Sequence, residues 1–125
     1  MRIISGKFKG KSIEYLKSSI TRPLKDSVKE NIFNILNHSN ILRQNLVNSN
    51  VLDLYSGVGS FGIECISRGS RKVFFVENNK TALEIIKKNL SKLDIHNQAK
   101  IYNDKIINFL NTKINQKFEI IFFDP

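Results

Sequence analysis

The stretch Asp53-Leu54-Tyr55-Ser56-Gly57-Val58-Gly59-Ser60-Phe61-Gly62 decides how the rest of the chain reads. Before it, Val51-Leu52-Asp53-Leu54 has the length and apolar character of a buried strand. After it, a helix is expected from about Ser60 to Arg68, with Gly69 placed to end it in a left-handed cap. A glycine-rich turn between a strand and a helix is the setting of a nucleotide-binding loop. Gly57 and Gly59 let the backbone turn sharply and approach a ligand, and Gly62 lets the helix lie close on the strand. Such turns are common, so this one gains weight from what surrounds it.

Towards the C-terminus, Val73-Phe74-Phe75-Val76 is a continuous apolar strand closed by Glu77, twenty residues after Gly57. A carboxylate there can accept both hydroxyls of a ribose. Ala82, Leu83, Ile86, Leu90 and Leu93 mark one face of a helix. Ala99 to Tyr102 reads as a third strand, Lys105 to Leu110 as a short helix and Phe118 to Phe123 as a fourth strand. Strands apolar on both faces and separated by helices predict an α/β fold with a parallel sheet covered on both sides. Towards the N-terminus, Ser27 followed by Glu30 has the form of a capping box. It opens a helix whose apolar stripe would be Val28, Ile32, Phe33, Ile35 and Leu36, ending near Asn37 to Asn40. A shorter helical turn is expected over 41–47. Arg2-Ile3-Ile4 and Ser12-Ile13-Glu14-Tyr15-Leu16, with Gly6 and Gly10 between them, read as two short strands around a basic turn.

A length of 125 residues and a mass of 14.4 kDa suit one core and exclude a two-domain enzyme. With 41% hydrophobic and 25% charged residues, wholesale disorder is excluded as well. The single cysteine, Cys65, rules out an internal disulfide, and no Cys/His cluster offers a zinc site, which suits a reducing cytosol. No apolar run has the length of a signal peptide or a membrane span. The net charge of +9 points to polyanionic partners, nucleic acid ahead of a membrane surface. That charge is uneven. Residues 1–25 hold seven basic residues against Glu14 alone, a net +6. The chain therefore divides into a basic N-terminal arm, 1–25, and an α/β domain, 26–125. In the arm, Arg2, Lys7, Lys9 and Lys11 would share a strand face and grip phosphates, joined by Arg22 and Lys25.

The loop and Glu77 by themselves admit NAD(P) as well as S-adenosyl-L-methionine. Three details favour the second. Asp53, four residues before Gly57, can bind an amino-acid ammonium but would repel a pyrophosphate. The glycine loop comes some fifty residues into the chain, whereas a dehydrogenase domain usually begins with it. Asn103-Asp104 follows the third strand, where Asp104 can accept a hydrogen bond from an adenine amine and also cap the next helix. Tyr55, Ser56 and Asn78 complete the candidate cofactor set. Finally, Phe118-Glu119-Ile120-Ile121-Phe122-Phe123 runs into Asp124-Pro125, which resembles the start of the D-P-P-[YF] motif of methyltransferases acting on amines of nucleic-acid bases.

Together these stretches resemble the bacterial 16S ribosomal RNA guanine-N2 methyltransferases that modify guanine 966. Met1-Arg2-Ile3-Ile4-Ser5-Gly6 with Lys9-Gly10-Lys11 is similar to the family's opening. Arg22-Pro23-Leu24-Lys25-Asp26-Ser27-Val28-Lys29-Glu30-Asn31-Ile32-Phe33 is similar to its R-P-T-x-D-R-V-R-E-x-L-F segment. Asp53 to Gly59 and Phe75-Val76-Glu77 match its glycine loop and acidic strand end. Leu24 stands where the family prefers Thr, and Ser27 where it prefers Arg, with Lys25 and Lys29 keeping positive charge nearby. Val58 replaces a small hydroxyl residue of the loop.

The resemblance implies a Rossmann-like fold, S-adenosylmethionine as cofactor and methyl transfer to the N2 amine of a guanine in 16S rRNA. It implies catalytic roles for Asp124 and the carbonyl of Pro125, with the arm on rRNA of the small subunit or its assembly intermediate. It also implies a cytoplasmic protein, monomeric at full length. The all-apolar run Ile120 to Phe123 predicts burial on both faces and both edges. In the family the sheet continues beyond it, so the chain is expected to be part of a longer methyltransferase, holding most of the cofactor pocket and half of the catalytic motif. Two alternatives stand beside this reading: a non-catalytic nucleic-acid-binding module that keeps the cofactor domain, and an NAD(P)-dependent oxidoreductase.

Overall fold

The computed structural model describes residues 1–15, 26–40, 46–112 and 114–125. Its elements are α1 (Asp26–His38), β1 (Asn50–Leu54), α2 (Ser60–Ser67), β2 (Lys72–Glu77), α3 (Lys80–Lys92), a single 3-10 turn (His96–Gln98), β3 (Ala99–Asn103), α4 (Ile106–Asn111) and β4 (Ile120–Phe123). The four strands are parallel in the order β3-β2-β1-β4. Register places Leu52 between Phe74 and Ile121, and Leu54 between Val76 and Phe123.

The order of the strands decides which face each helix covers. From β1 to β3 the chain steps one way across the sheet, so right-handed crossovers put α2 and α3 on one face. The return from β3 to β4 puts α4 on the other. Alternation along each strand then feeds two core layers. Val51, Val73 and Phe75 pack with Phe61, Ile63, Ile66, Ile86 and Leu90, and with Phe33 and Leu36 of α1. Leu52, Leu54, Phe74 and Val76 pack with Phe109 of α4 and with Tyr102, Ile106 and Phe118. This is the Rossmann-like arrangement read from the sequence.

Four local expectations change. Helix α1 begins at Asp26, so Ser27 lies inside the first turn and not at the N-cap that a capping box needs. Its buried stripe is Lys29, Phe33 and Leu36, whereas Val28 and Ile35 are 43% and 64% exposed. An apolar stripe misreads this helix because Lys29 takes an interior position, 3.3 Å from the equally buried Glu64. Lys29 therefore offers no charge to a surface ligand. The helical turn expected over 41–47 lies almost wholly outside the described residues.

The N-terminal arm is a short antiparallel ribbon closed by a basic turn. It holds one antiparallel bridge, Arg2 with Ser12, and the chain between turns through Gly6 and Gly10 at φ of +89° and +84°. Ile3 N donates to the Lys11 carbonyl at 2.9 Å, Gly10 N to the Ile3 carbonyl at 2.8 Å and Ile13 N to the Met1 carbonyl at 2.9 Å, while the amides of the turn reach α2. Ile4 N and Ser5 N donate to the Glu64 carboxylate at 2.9 and 3.0 Å, Phe8 N to Ser67 Oγ at 3.0 Å, and Lys7 N to the Ser67 carbonyl at 2.8 Å. Lys7 and Lys9 consequently sit on a turn and not on a strand face. Ile3 and Ile13, both buried, join the arm to the core.

The fourth change concerns β4. Ile120 and Phe122 pack inward, but Ile121 and Phe123 are 60% and 58% exposed on the α4 side. Among the described residues α4 packs mainly on β2, and even the inward pair of β4 is only half-buried, so the full burial expected of this strand is not met.

Candidate functional site

Because all four strands are parallel, their C-terminal ends open on one edge of the sheet, where ligands of such folds bind. Tyr55 after β1, Glu77 at the end of β2, Asn103 and Asp104 after β3 and Asp124 after β4 all lie along it. A cavity of about 270 Å3 opens there, lined by the expected Tyr55, Glu77, Asn78 and Asp104. Val76, Lys105, Ile106 and Ile107 complete its walls. The last three were not singled out from the sequence. The signal present was the apolar pair Ile106-Ile107, one residue beyond Asn103-Asp104, which reads equally well as core.

The glycine loop is held from several sides. Tyr55, Gly57 and Gly59 all take positive φ, at 57°, 59° and 90°, so the turn is tight even at a non-glycine position. Ser56 ties it down, its hydroxyl donating to the Asp53 carbonyl at 2.6 Å and its amide to the Val76 carbonyl at 3.1 Å. Glu77 closes the loop across the two strands. One carboxylate oxygen accepts from Gly57 N at 2.8 Å, the other from Asn78 N at 3.0 Å and Asn79 N at 2.9 Å. A carboxylate has about four lone-pair positions, so Glu77 retains acceptor capacity towards the cavity it lines. Tyr55 also leans on the end of β4, its ring edge-on to Phe123 at 5.5 Å between centroids.

Asp53 is placed differently from its neighbours. It is 1% exposed, lies beneath the loop and accepts a hydrogen bond from Gly62 N at 3.2 Å. Burial raises its pKa from 3.8 to about 8; the Gly62 bond opposes this, and the charges of Glu77 and Asp124 add to the rise. Asp53 is therefore largely protonated at neutral pH. Gly62 shows why α2 can lie so close above it. A Cβ there would overlap Cε1 of Phe75 and stand 2.7 Å from its Cζ and 2.8 Å from Cγ1 of Val73.

Asp104 is not the N-cap of α4. That position belongs to Lys105, whose amide donates to Asp104 Oδ1 at 2.9 Å. Asn103 pairs with Glu77 in register and is exposed beside the cavity, but not among its walls. Asp124 and Pro125 are exposed beyond β4, with Asp124 close enough for its charge to act on Asp53. Cys65 is buried, which raises its thiol pKa and makes it a poor nucleophile.

Of the basic candidates, Arg2, Lys7, Lys9 and Lys11 are exposed, and Arg22 and Lys25 lie outside the described residues. The arm runs along α2. The Arg2 carbonyl accepts from Lys29, which also bonds Ser60 at the start of α2, and Lys7 meets Ser67 at its end. The basic turn is thus about 12 Å, the length of an eight-residue helix, from the glycine loop that α2 follows.

This architecture recurs in known proteins. Ribosomal RNA small subunit methyltransferase D of Haemophilus influenzae is 38% identical over 100% of this chain and 63% of its own length. The protein of the same name from Escherichia coli is 30% identical over 100% of this chain and 59% of its own. A solved structure of Escherichia coli YhhF, described as a methyltransferase, superposes with a TM-score of 0.84 at 29% identity, covering 100% of this chain and 64% of that one. The chain thus spans about three fifths of the length of these relatives. The family described as conserved hypothetical protein 95 matches residues 1–125 from end to end, and the chain belongs to it.

Proposed function

We propose that this chain takes part in S-adenosylmethionine-dependent methylation of the exocyclic N2 amine of a guanine in 16S ribosomal RNA, guanine 966 by family resemblance. The observation that carries this reading is the single sheet edge where Glu77, braced on the glycine loop, shares a cavity with Tyr55 and Asp104 beside Asp124. The residues fit the cofactor. Glu77 has one acceptor position left for a ribose hydroxyl, Val76, Ile106 and Ile107 provide apolar walls for a base, and Asp104 provides an acceptor for its amine. Asp53, buried beneath the loop and outside the walls of the cavity, would give up the proton that burial retains on binding an ammonium.

When bound, the cofactor supplies an electrophilic methyl group on a sulfonium. The task left to the protein is orientation, because the lone pair of guanine N2 is delocalised into the ring. Asp124 accepts a hydrogen bond from the amine and the Pro125 carbonyl can accept a second. This holds N2 in line with the methyl group and concentrates electron density on it. The names of the relatives and the +9 charge support rRNA of the small subunit, or its assembly intermediate, as the partner, in the cytoplasm.

Calorimetry with S-adenosylmethionine and with NADH separates this reading from a dehydrogenase. Transfer of tritiated methyl groups to unmethylated small-subunit particles separates it from a non-catalytic binding module, with Asp124→Ala as the inactive control. Saturable NADH binding without S-adenosylmethionine binding would refute the cofactor assignment.

A further inference from the structure

The basic turn of the arm stands about one helix length, about 12 Å, from the glycine loop. A second basic feature lies nearer. Between the arm and α3 is a recess of about 520 Å3, lined by Glu14, Lys87, Lys88, Asn89, Ser91 and Lys92. Lys87 and Lys88 are exposed, and among the described residues neither has an ion-pair partner. A pair of solvated lysines on a helix is ordinary. The recess they border is not, because its walls are built.

Lys92 Nζ donates to the carbonyl and the hydroxyl of Ser12 at 2.9 and 2.8 Å, fastening the last turn of α3 to the arm next to Lys11. Asn89, 1% exposed, forms the floor. Its Oδ1 accepts from Glu14 N at 2.9 Å, and its Nδ2 donates to the Glu14 carbonyl at 3.0 Å and to the Val58 carbonyl at 3.1 Å. One buried amide therefore ties the recess to the arm and to the glycine loop at once.

We propose that this recess is a docking track for the RNA backbone, in which Lys87, Lys88 and Lys92 take successive phosphates and register the RNA against the cofactor loop. The proposal rests on the RNA substrate argued above and adds a contact surface to it. Three ammonium groups against one carboxylate along an open, shallow recess suit a strand with one charge per nucleotide.

The test is fluorescence anisotropy of the full chain with a labelled single-stranded RNA of about twenty mixed nucleotides, titrated over a range of salt. Neither Lys87 nor Lys88 belongs to the proposed active site. The double variant Lys87→Gln/Lys88→Gln is expected to bind about tenfold more weakly at low salt. Its salt slope should fall by about 1.4, two phosphate contacts at about 0.7 each. Its melting temperature and its affinity for S-adenosylmethionine should not change. Lys7→Gln/Lys9→Gln serves as the comparison in the arm. Wild-type affinity and slope in the Lys87/Lys88 variant would overturn the proposal. So would a variant that loses binding to phosphatidylglycerol vesicles while keeping RNA affinity. A wild-type chain that binds S-adenosylmethionine but no RNA would remove the RNA reading itself, and this inference with it.

Discussion

Gly62→Ala tests whether the close approach of α2 to the sheet holds the site together. The added methyl would overlap Cε1 of Phe75 and come within 2.7 Å of its Cζ and 2.8 Å of Val73 Cγ1. Neither neighbour can retreat, because Phe75 and Val73 are both 0% exposed in the middle of the sheet. Overpacking of this kind costs about 1–3 kcal/mol. Lifting α2 also stretches the Gly62 N–H bond to Asp53, already 3.2 Å, and loses on the order of 1 kcal/mol more. Against this, alanine is the better helix former by about 0.5–1 kcal/mol. The net loss is about 1–3 kcal/mol, which lowers the melting temperature of a domain this size by roughly 4–12 °C. Circular dichroism melts check it. The same substitution in a Phe75→Leu background should cost less than half as much, since the ring carbons it strikes are gone. A Gly62→Ala variant that melts at or above wild type, or a cost that Phe75→Leu does not relieve, would refute the argument.

Three further outcomes follow from the geometry. Glu77→Ala leaves the amides of Gly57, Asn78 and Asn79 without their acceptor, so affinity for S-adenosylmethionine by calorimetry should fall at least about tenfold, more than for Glu77→Gln, which keeps one acceptor oxygen. The raised pKa of Asp53 means that the folded chain keeps a proton which the unfolded chain gives up, so stability should decline as pH rises from about 4 to about 8 and then level off. Asp53→Asn should flatten that part of a melting-temperature profile, and an unchanged slope would contradict the assignment. Gly6→Ala drives a Cβ into the Ser67 carbonyl at a φ of +89°, so the arm should undock, read as faster proteolysis within residues 1–15 while α3 stays protected.

The Rossmann-like sheet and its glycine loop were legible in the chain because their signals are local. Continuous apolar strands, Gly57, Gly59 and Gly62, and Glu77 at a strand end each state a backbone or burial requirement within a few residues. The gathering of Tyr55, Glu77, Asn78 and Asp104 followed from parallel topology alone, since every strand ends at the same edge. What depended on distant partners was not legible. Lys29 reads as surface charge until Glu64, thirty-five residues later, buries with it. The arm reads as a free ribbon until Glu64 and Ser67 take up the amides of its turn, and the proton that Asp53 keeps is not legible until α2 closes over it. Burial and charge depend on what packs against a side chain, and that is set by elements far apart in sequence. Local hydrophobic pattern is enough to specify strands, helices and a turn; the ionisation of a carboxylate and the direction of a basic arm are properties of the assembled layers.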